Sequence, residues 1–151
     1  MADKIIIGSD HAAFPLKEEL KKFLEEKGFD VIDTGTFSED SVHYPNIAVK
    51  VAQAISSGMF TRGILLCGTG QGMTMVANRF PHVRASLCND LFSATMARRH
   101  NNANILTMGG RMLEISLAQE ILEAWLNTPF EGGRHEERIK MFEGPIGSCK
   151  I

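Results

Sequence analysis

Five short apolar runs, at residues 4–8, 29–32, 63–67, 84–88 and 104–108, each precede a stretch whose apolar residues recur at helical spacing. Strand and helix periods alternating in this way specify a parallel sheet covered by helices on both faces, with right-handed crossovers. Pro15 opens the first helix, Leu16, Leu20, Phe23 and Leu24 form its stripe, and Gly28 ends it. Pro45 opens the second, with Ile47, Val51 and Ile55 inward. A short helix is expected over 73–78, and one over 90–100 capped by Asp90 or Asn89. A longer helix is expected over 112–126, with Ile115, Ala118, Ile121, Leu122 and Trp125 inward. The expected architecture is a three-layer α/β sandwich with strand order 2-1-3-4-5. The 151 residues make one domain, 1–151, of which 128–151 is a C-terminal extension with a short helix near its charged 133–138 segment.

In such a sheet the chain reverses direction between strands 1 and 3, and ligands bind outside the carboxyl ends of the strands there. The loops at that point are Ser9-Asp10-His11 and Cys67-Gly68-Thr69-Gly70-Gln71-Gly72. The second is the most informative stretch of the chain: an apolar run ends in a cysteine, three alternate glycines follow, and a helix resumes. A glycine turn at a helix start exposes backbone N–H groups and suits an oxyanion or phosphate. It lacks the lysine of a P-loop and follows the third strand, not the first, so it is not a dinucleotide fingerprint. A purely structural turn is the competing reading.

Cys67 is either a small buried apolar residue, the usual fate of a free cysteine, or a thiolate acting as base or nucleophile. Cys88 ends a strand with no glycine turn after it and reads as structural. Asp10 and His11 are either a helix cap and a surface imidazole or a pair that binds a sugar hydroxyl and moves a proton. Tyr44, the only tyrosine, could line the same crevice. His100 closes a helix that runs back toward the amino edge of the sheet, so it should lie away from the crevice of its own subunit. If catalytic, it would serve a neighbouring one. Arg134 and Arg138 stand one helical turn apart and either clamp a phosphate or form a solvated basic face beside Glu136 and Glu137. Arg111, after Gly109-Gly110, reads similarly.

Net charge is −2, which gives no electrostatic case for nucleic acid or an anionic membrane. No apolar run nears the roughly 18 residues of a membrane span, and the start Met1-Ala2-Asp3-Lys4 lacks a signal-peptide profile. Three cysteines without CxxC spacing (Cys67, Cys88, Cys149) argue against a disulfide framework or a structural metal and for a reducing, cytoplasmic setting.

Eight motifs in order carry a resemblance: Gly8-Ser9-Asp10-His11, Asp33-Thr34-Gly35-Thr36, Tyr44-Pro45, Cys67 to Gly72, Ala77-Asn78-Arg79, Arg99-His100-Asn101, Gly109-Gly110-Arg111 and Gly132-Gly133-Arg134-His135-Glu136-Glu137-Arg138. Together they resemble the ribose/galactose isomerase family, in its type B ribose-5-phosphate isomerase branch, from the first strand to about Arg138. The resemblance implies a Rossmann-like or flavodoxin-like sandwich. It also implies a homodimer with shared active sites and aldose–ketose isomerisation of a sugar phosphate without metal or cofactor. Cys67 is then the base and His100 the ring-opening acid, with Asp10 assisting. Gly68, Thr69, Gly70, Gln71 and Gly72 hold the enediolate. Asn101, Arg111, Arg134 and Arg138 contact substrate and phosphate, with His11 near them. One branch of the family places a glutamate base just after the turn, where this chain has Met73. A hexose 6-phosphate substrate, a tetramer made of two dimers, and a non-catalytic nucleotide- or anion-binding module remain open alternatives, and the tail after Phe142 matches no motif.

Overall fold

The computed structural model describes residues 2–144; Cys149 and the end of the tail lie outside the described residues. Five parallel strands form the sheet: β1 (Lys4–Ser9), β2 (Asp30–Asp33), β3 (Gly63–Cys67), β4 (Ala85–Leu87) and β5 (Ile105–Gly109). Six helices connect or flank them: α1 (Phe14–Glu26), α2 (Tyr44–Ser56), α3 (Gln71–Ala77), α4 (Leu91–Arg99), α5 (Ile115–Asn127) and α6 (Arg134–Glu143). A single 3-10 turn, His11–Ala13, precedes α1.

The layers follow from the period-2 geometry of the central strands. Ile5, Ile7, Ile64, Leu66, Leu106 and Met108 point to one side, where they bury Leu16, Leu20 and Leu24 of α1, Ala94 and Ala97 of α4, and Ile121, Leu122 and Trp125 of α5. Ile6, Leu65, Cys67 and Ile105 point to the other, against Ile47, Val51 and Ile55 of α2 and Met73 and Ala77 of α3. Both faces are covered, which is why the central strands are apolar along their whole length. Among the described residues, no helix is long and apolar enough to cross a membrane.

Two expectations need correction. The strand order is β2-β1-β3-β5-β4, not 2-1-3-4-5. β4 has three half-buried residues, whereas all five of β5 are buried. The shorter, more polar strand takes the edge and the apolar one takes the interior. The last long helix starts at Ile115, not 112, because 110–112 turn; Ile115 is exposed and the inward stripe begins at Ala118. The reversal between β1 and β3 stands. The corrected order also sets the loop after β5 beside the loop after β3, with Cys67 in register with Gly109.

Candidate active site

Cys67 closes β3 with its side chain on the α2/α3 side and is almost wholly buried. The chain then turns sharply enough that the Gly70 N–H donates to Cys67 Sγ at 3.2 Å. Gly70 is left-handed, at φ 83°, and a Cβ there would meet the Met108 carbonyl carbon at 3.0 Å as well as the Leu87 side chain. Glycine is therefore required by both conformation and space. Gly72 is required by space: its Cβ would lie 2.5 Å from the Tyr44 ring, which stands over the start of α3. Among the described residues, the Gly68 and Thr69 N–H groups have no acceptor, while the Gln71 N–H donates to Thr69 Oγ1 at 3.3 Å. The turn thus aims one donor at the thiol sulfur and keeps two more unspent beside it. Such donors stabilise charge that develops on a bound oxygen.

The neighbouring loops close around this turn. Gly110 N–H donates to the Cys67 carbonyl at 2.8 Å and Arg111 N–H to the Gly68 carbonyl at 3.0 Å. A Cβ on Gly68 would be 3.5 Å from Arg111 Nη1, so the guanidinium lies across the glycine. Asn89 bridges the two loops: its Nδ2 donates to the Thr69 carbonyl (3.3 Å) and its Oδ1 accepts the Gly109 N–H (3.0 Å). Asn89 stood in the sequence only as a possible cap; its bridging role needs β5 beside β3. Asp90 is the actual cap of α4, and the Ser93 N–H on Oδ1 holds its carboxyl below the usual range.

On the β1 side, Asp10 is nearly buried, donates its N–H to Leu66 and accepts the Ala13 N–H on Oδ1 at 3.2 Å. His11 Nδ1 accepts the Val42 N–H at 3.2 Å, which leaves the proton of the neutral ring on Nε2. Asp10, His11, Tyr44, Cys67 to Gly72 and Arg111 therefore meet at one crevice. Cys88 has no such setting: burial first, and Asp90 besides, push its thiol up to about 11.

His100, Asn101, Arg134 and Arg138 lie elsewhere. α4 starts by the crevice and carries the chain back about 13 Å over nine residues. His100 caps its end, and Asn102 beyond it accepts Arg84 Nε at 3.0 Å at the foot of β4. There His100 stacks on His135, ring centroids 4.2 Å apart and planes within 10°. Arg99 binds Glu131 Oε1 through Nε and Nη2, both at 2.7 Å. The other oxygen, Oε2, lies 3.5 Å from His135 Nε2 and 4.0 Å from His100 Nε2. The three residues offer donor atoms within 4.8 Å of one another. A metal ion must lie near the plane of each imidazole it binds, and rings stacked face to face cannot both meet that condition. The arrangement suits a proton-sharing pair better. Arg134 and Arg138 are exposed on α6 and, among the described residues, make no ion pair, neither with Glu136 nor with Glu137. Glu131 was not singled out from sequence, and His135 stood only inside the Gly132–Arg138 motif without a role, because nothing local links them to His100, some thirty residues upstream.

Three comparisons bear on the chain as a whole. The ribose/galactose isomerase family profile matches residues 5–142. Ribose-5-phosphate isomerase B of Escherichia coli is 44% identical over 137 residues, covering 91% of this chain and 92% of that protein. A D-erythrulose-4-phosphate isomerase of Pectobacterium atrosepticum is 43% identical over 140 residues, covering 90% of each. The crystal structure of a ribose 5-phosphate isomerase from Thermotoga maritima superposes with a TM-score of 0.90 at 54% identity, over 93% of this chain and 97% of that one. With its turn, crevice and sheet order in place along nearly the full length, the chain belongs to the ribose/galactose isomerase family.

Proposed function

We propose that this protein is an aldose–ketose isomerase that interconverts ribose 5-phosphate and ribulose 5-phosphate. The observation that carries the proposal is Cys67 at the switch point, its sulfur under one N–H of the glycine turn and two further N–H groups free beside it. Asp10 and His100 open the furanose ring: His100 protonates the ring oxygen, the Asp10 carboxylate takes the proton of the anomeric hydroxyl, and the bond from C1 to the ring oxygen breaks to give the aldehyde. The Cys67 thiolate takes the proton from C2, and the electron pair forms the C1=C2 bond, leaving charge on O1. The Gly68 and Thr69 N–H groups and the Thr69 hydroxyl bind that oxygen, each worth on the order of 3 kcal/mol in a closed site. The thiol returns the proton to C1, while the proton of the C2 hydroxyl passes to O1, so that C1 becomes CH2OH and C2 the ketone. Arg111, Arg134, Arg138, His11 and Asn101 hold the phosphate end, whose binding energy positions the reacting carbons. Every step is proton transfer, which needs no metal or cofactor.

Two groups of site residues at opposite edges of one subunit support a homodimer in which His100 and the α6 arginines of one copy complete the crevice of the other. A free thiol base suits the reducing cytoplasm. The choice of sugar is the one point where a second reading has support. A tetrulose-phosphate isomerase and a pentose-phosphate isomerase are about equally identical to this chain. Four-, five- and six-carbon aldose phosphates assayed side by side in EDTA should show ribose 5-phosphate with the highest kcat/KM. A hexose or tetrose phosphate turned over faster would reassign the substrate, and no turnover of any would leave a binding module.

A further inference from the structure

We propose that His135 and Glu131 are positioning residues for His100, fixing its ring and keeping the proton of the pair on it; the inference rests on the reading of His100 as the ring-opening acid. Two imidazoles face to face at 4.2 Å resist holding two protons, because like charges that close repel. One proton must then choose between them. The His135 side chain is 9% exposed and that of His100 39%. Desolvation penalises charge on the more buried ring, so His135 stays neutral and His100 carries the proton. Burial first, then the neighbouring His100, holds the His135 imidazole below its ordinary value, in the same sense.

Glu131 makes the choice firm. Its N–H donates to the Arg99 carbonyl at 3.0 Å and its Oε1 is taken by the Arg99 guanidinium, so Oε2 is held at the Nε2 edge of both rings. Arg99, despite the cost of burying a charge, keeps Glu131 ionised below the usual carboxylate range. The other charged groups near the stack are Arg134 and Arg138 on α6, which disfavour a second proton. The neutral His135 ring also presents its face to the imidazolium, a contact that stabilises a cation. His100 is thereby a preorganised acid and not a free surface histidine.

The test separates ring opening from enolisation. Ribulose 5-phosphate, with its 5-oxygen esterified, is already open, so exchange of its C1 hydrogen with solvent deuterium needs the Cys67 base but no ring-opening acid. Glu131→Gln and His135→Ala should slow conversion of ribose 5-phosphate by about tenfold to a hundredfold, the range for a mispositioned catalytic group. Deuterium exchange into ribulose 5-phosphate, followed by NMR, should stay within about twofold of wild type in both. His135→Phe, which keeps the stack and the buried volume, should recover most of the conversion rate, and it preserves the test if His135→Ala does not fold. Equal loss of conversion and exchange, or no loss of conversion, would overturn the proposal. Wild-type protein that neither converts nor exchanges would instead overturn the isomerase reading.

Discussion

The crevice at the carboxyl edge and the corner where α4 meets α6 are built in different ways. The crevice is made of backbone. Gly70 and Gly72 are pinned by Met108, Leu87 and Tyr44, the β5 loop is tied to the turn by two backbone hydrogen bonds, and Asn89 closes the seam. The corner is made of side chains at the ends of helices: a stacked imidazole pair, one carboxylate and exposed arginines. Substitutions in the crevice should therefore disturb structure and chemistry together, except where only a reacting atom is removed. Substitutions at the exposed side chains of the corner should disturb chemistry alone.

Cys67→Ala is the exception in the crevice and the largest effect. Removing the base should cost about 10³-fold in kcat, while the thermal midpoint stays within a few degrees because one buried sulfur is lost beside intact packing. A variant keeping more than about a tenth of wild-type activity would remove Cys67 from the role of base. Gly72→Ala comes next and behaves as the rule predicts. The added methyl must displace the Tyr44 ring or the start of α3, at about 1–3 kcal/mol of stability, and a turn moved by an ångström should lower kcat/KM by about a hundredfold. Circular-dichroism melting and initial rates on the same preparation would show whether the two losses move together.

The corner is sharpened by mixing. Cys67→Ala and His100→Asn should each be nearly inactive, yet dimers reassorted from equal amounts should recover about a quarter of wild-type activity, since half are mixed and each mixed dimer has one intact site. No recovery would mean that both residues act within one subunit.

How much of this was visible in the chain beforehand depends on whether the cause is local. β3, the glycine turn and the crevice at the β1/β3 reversal follow from an apolar run, a glycine spacing and a topological rule, and all three were legible. The edge position of β4 was weakly legible: Arg84-Ala85-Ser86-Leu87-Cys88 is more polar than Asn104-Ile105-Leu106-Thr107-Met108, but consecutive strands are so often neighbours that the default order prevailed. Asn89, Glu131 and His135 were not legible, since each takes its role from a partner brought close only by the finished fold. Lys17 belongs with them. It looks like an ordinary polar residue between Leu16 and Leu20, yet its side chain is wholly buried against Asp33 at 2.5 Å, over the Phe14 and Phe37 rings.

That buried pair supplies the smallest effect and the clearest opposite to the corner. Burial alone would raise the Asp33 carboxyl. The Lys17 ammonium, the Gly35 N–H at 2.9 Å and Lys21 at 3.0 Å together hold it below its ordinary value near 3.8. Asp33 in turn raises Lys21, through their hydrogen bond first. The pair braces the end of β2, whose loop bonds Ser9 beside the crevice. Lys21 is a quarter exposed, so water screens its share, and Lys21→Met should cost only about 0.5–1 kcal/mol. A depressed carboxylate stabilises the fold above its unfolded value and loses that contribution as pH falls through the folded one. A raised ammonium contributes below its unfolded value and loses it as pH rises through the folded one. The gap between wild type and Lys21→Met in urea unfolding should therefore be full from about pH 5 to 9. It should close on the acid side below the ordinary aspartate value and on the alkaline side above that of lysine, with kcat unchanged throughout. A gap that persists undiminished at pH 2 would show that Lys21 acts through packing of its stem and not through Asp33. A fall in kcat would show that the brace on β2 reaches the reacting atoms, and would erase the line drawn between the two regions.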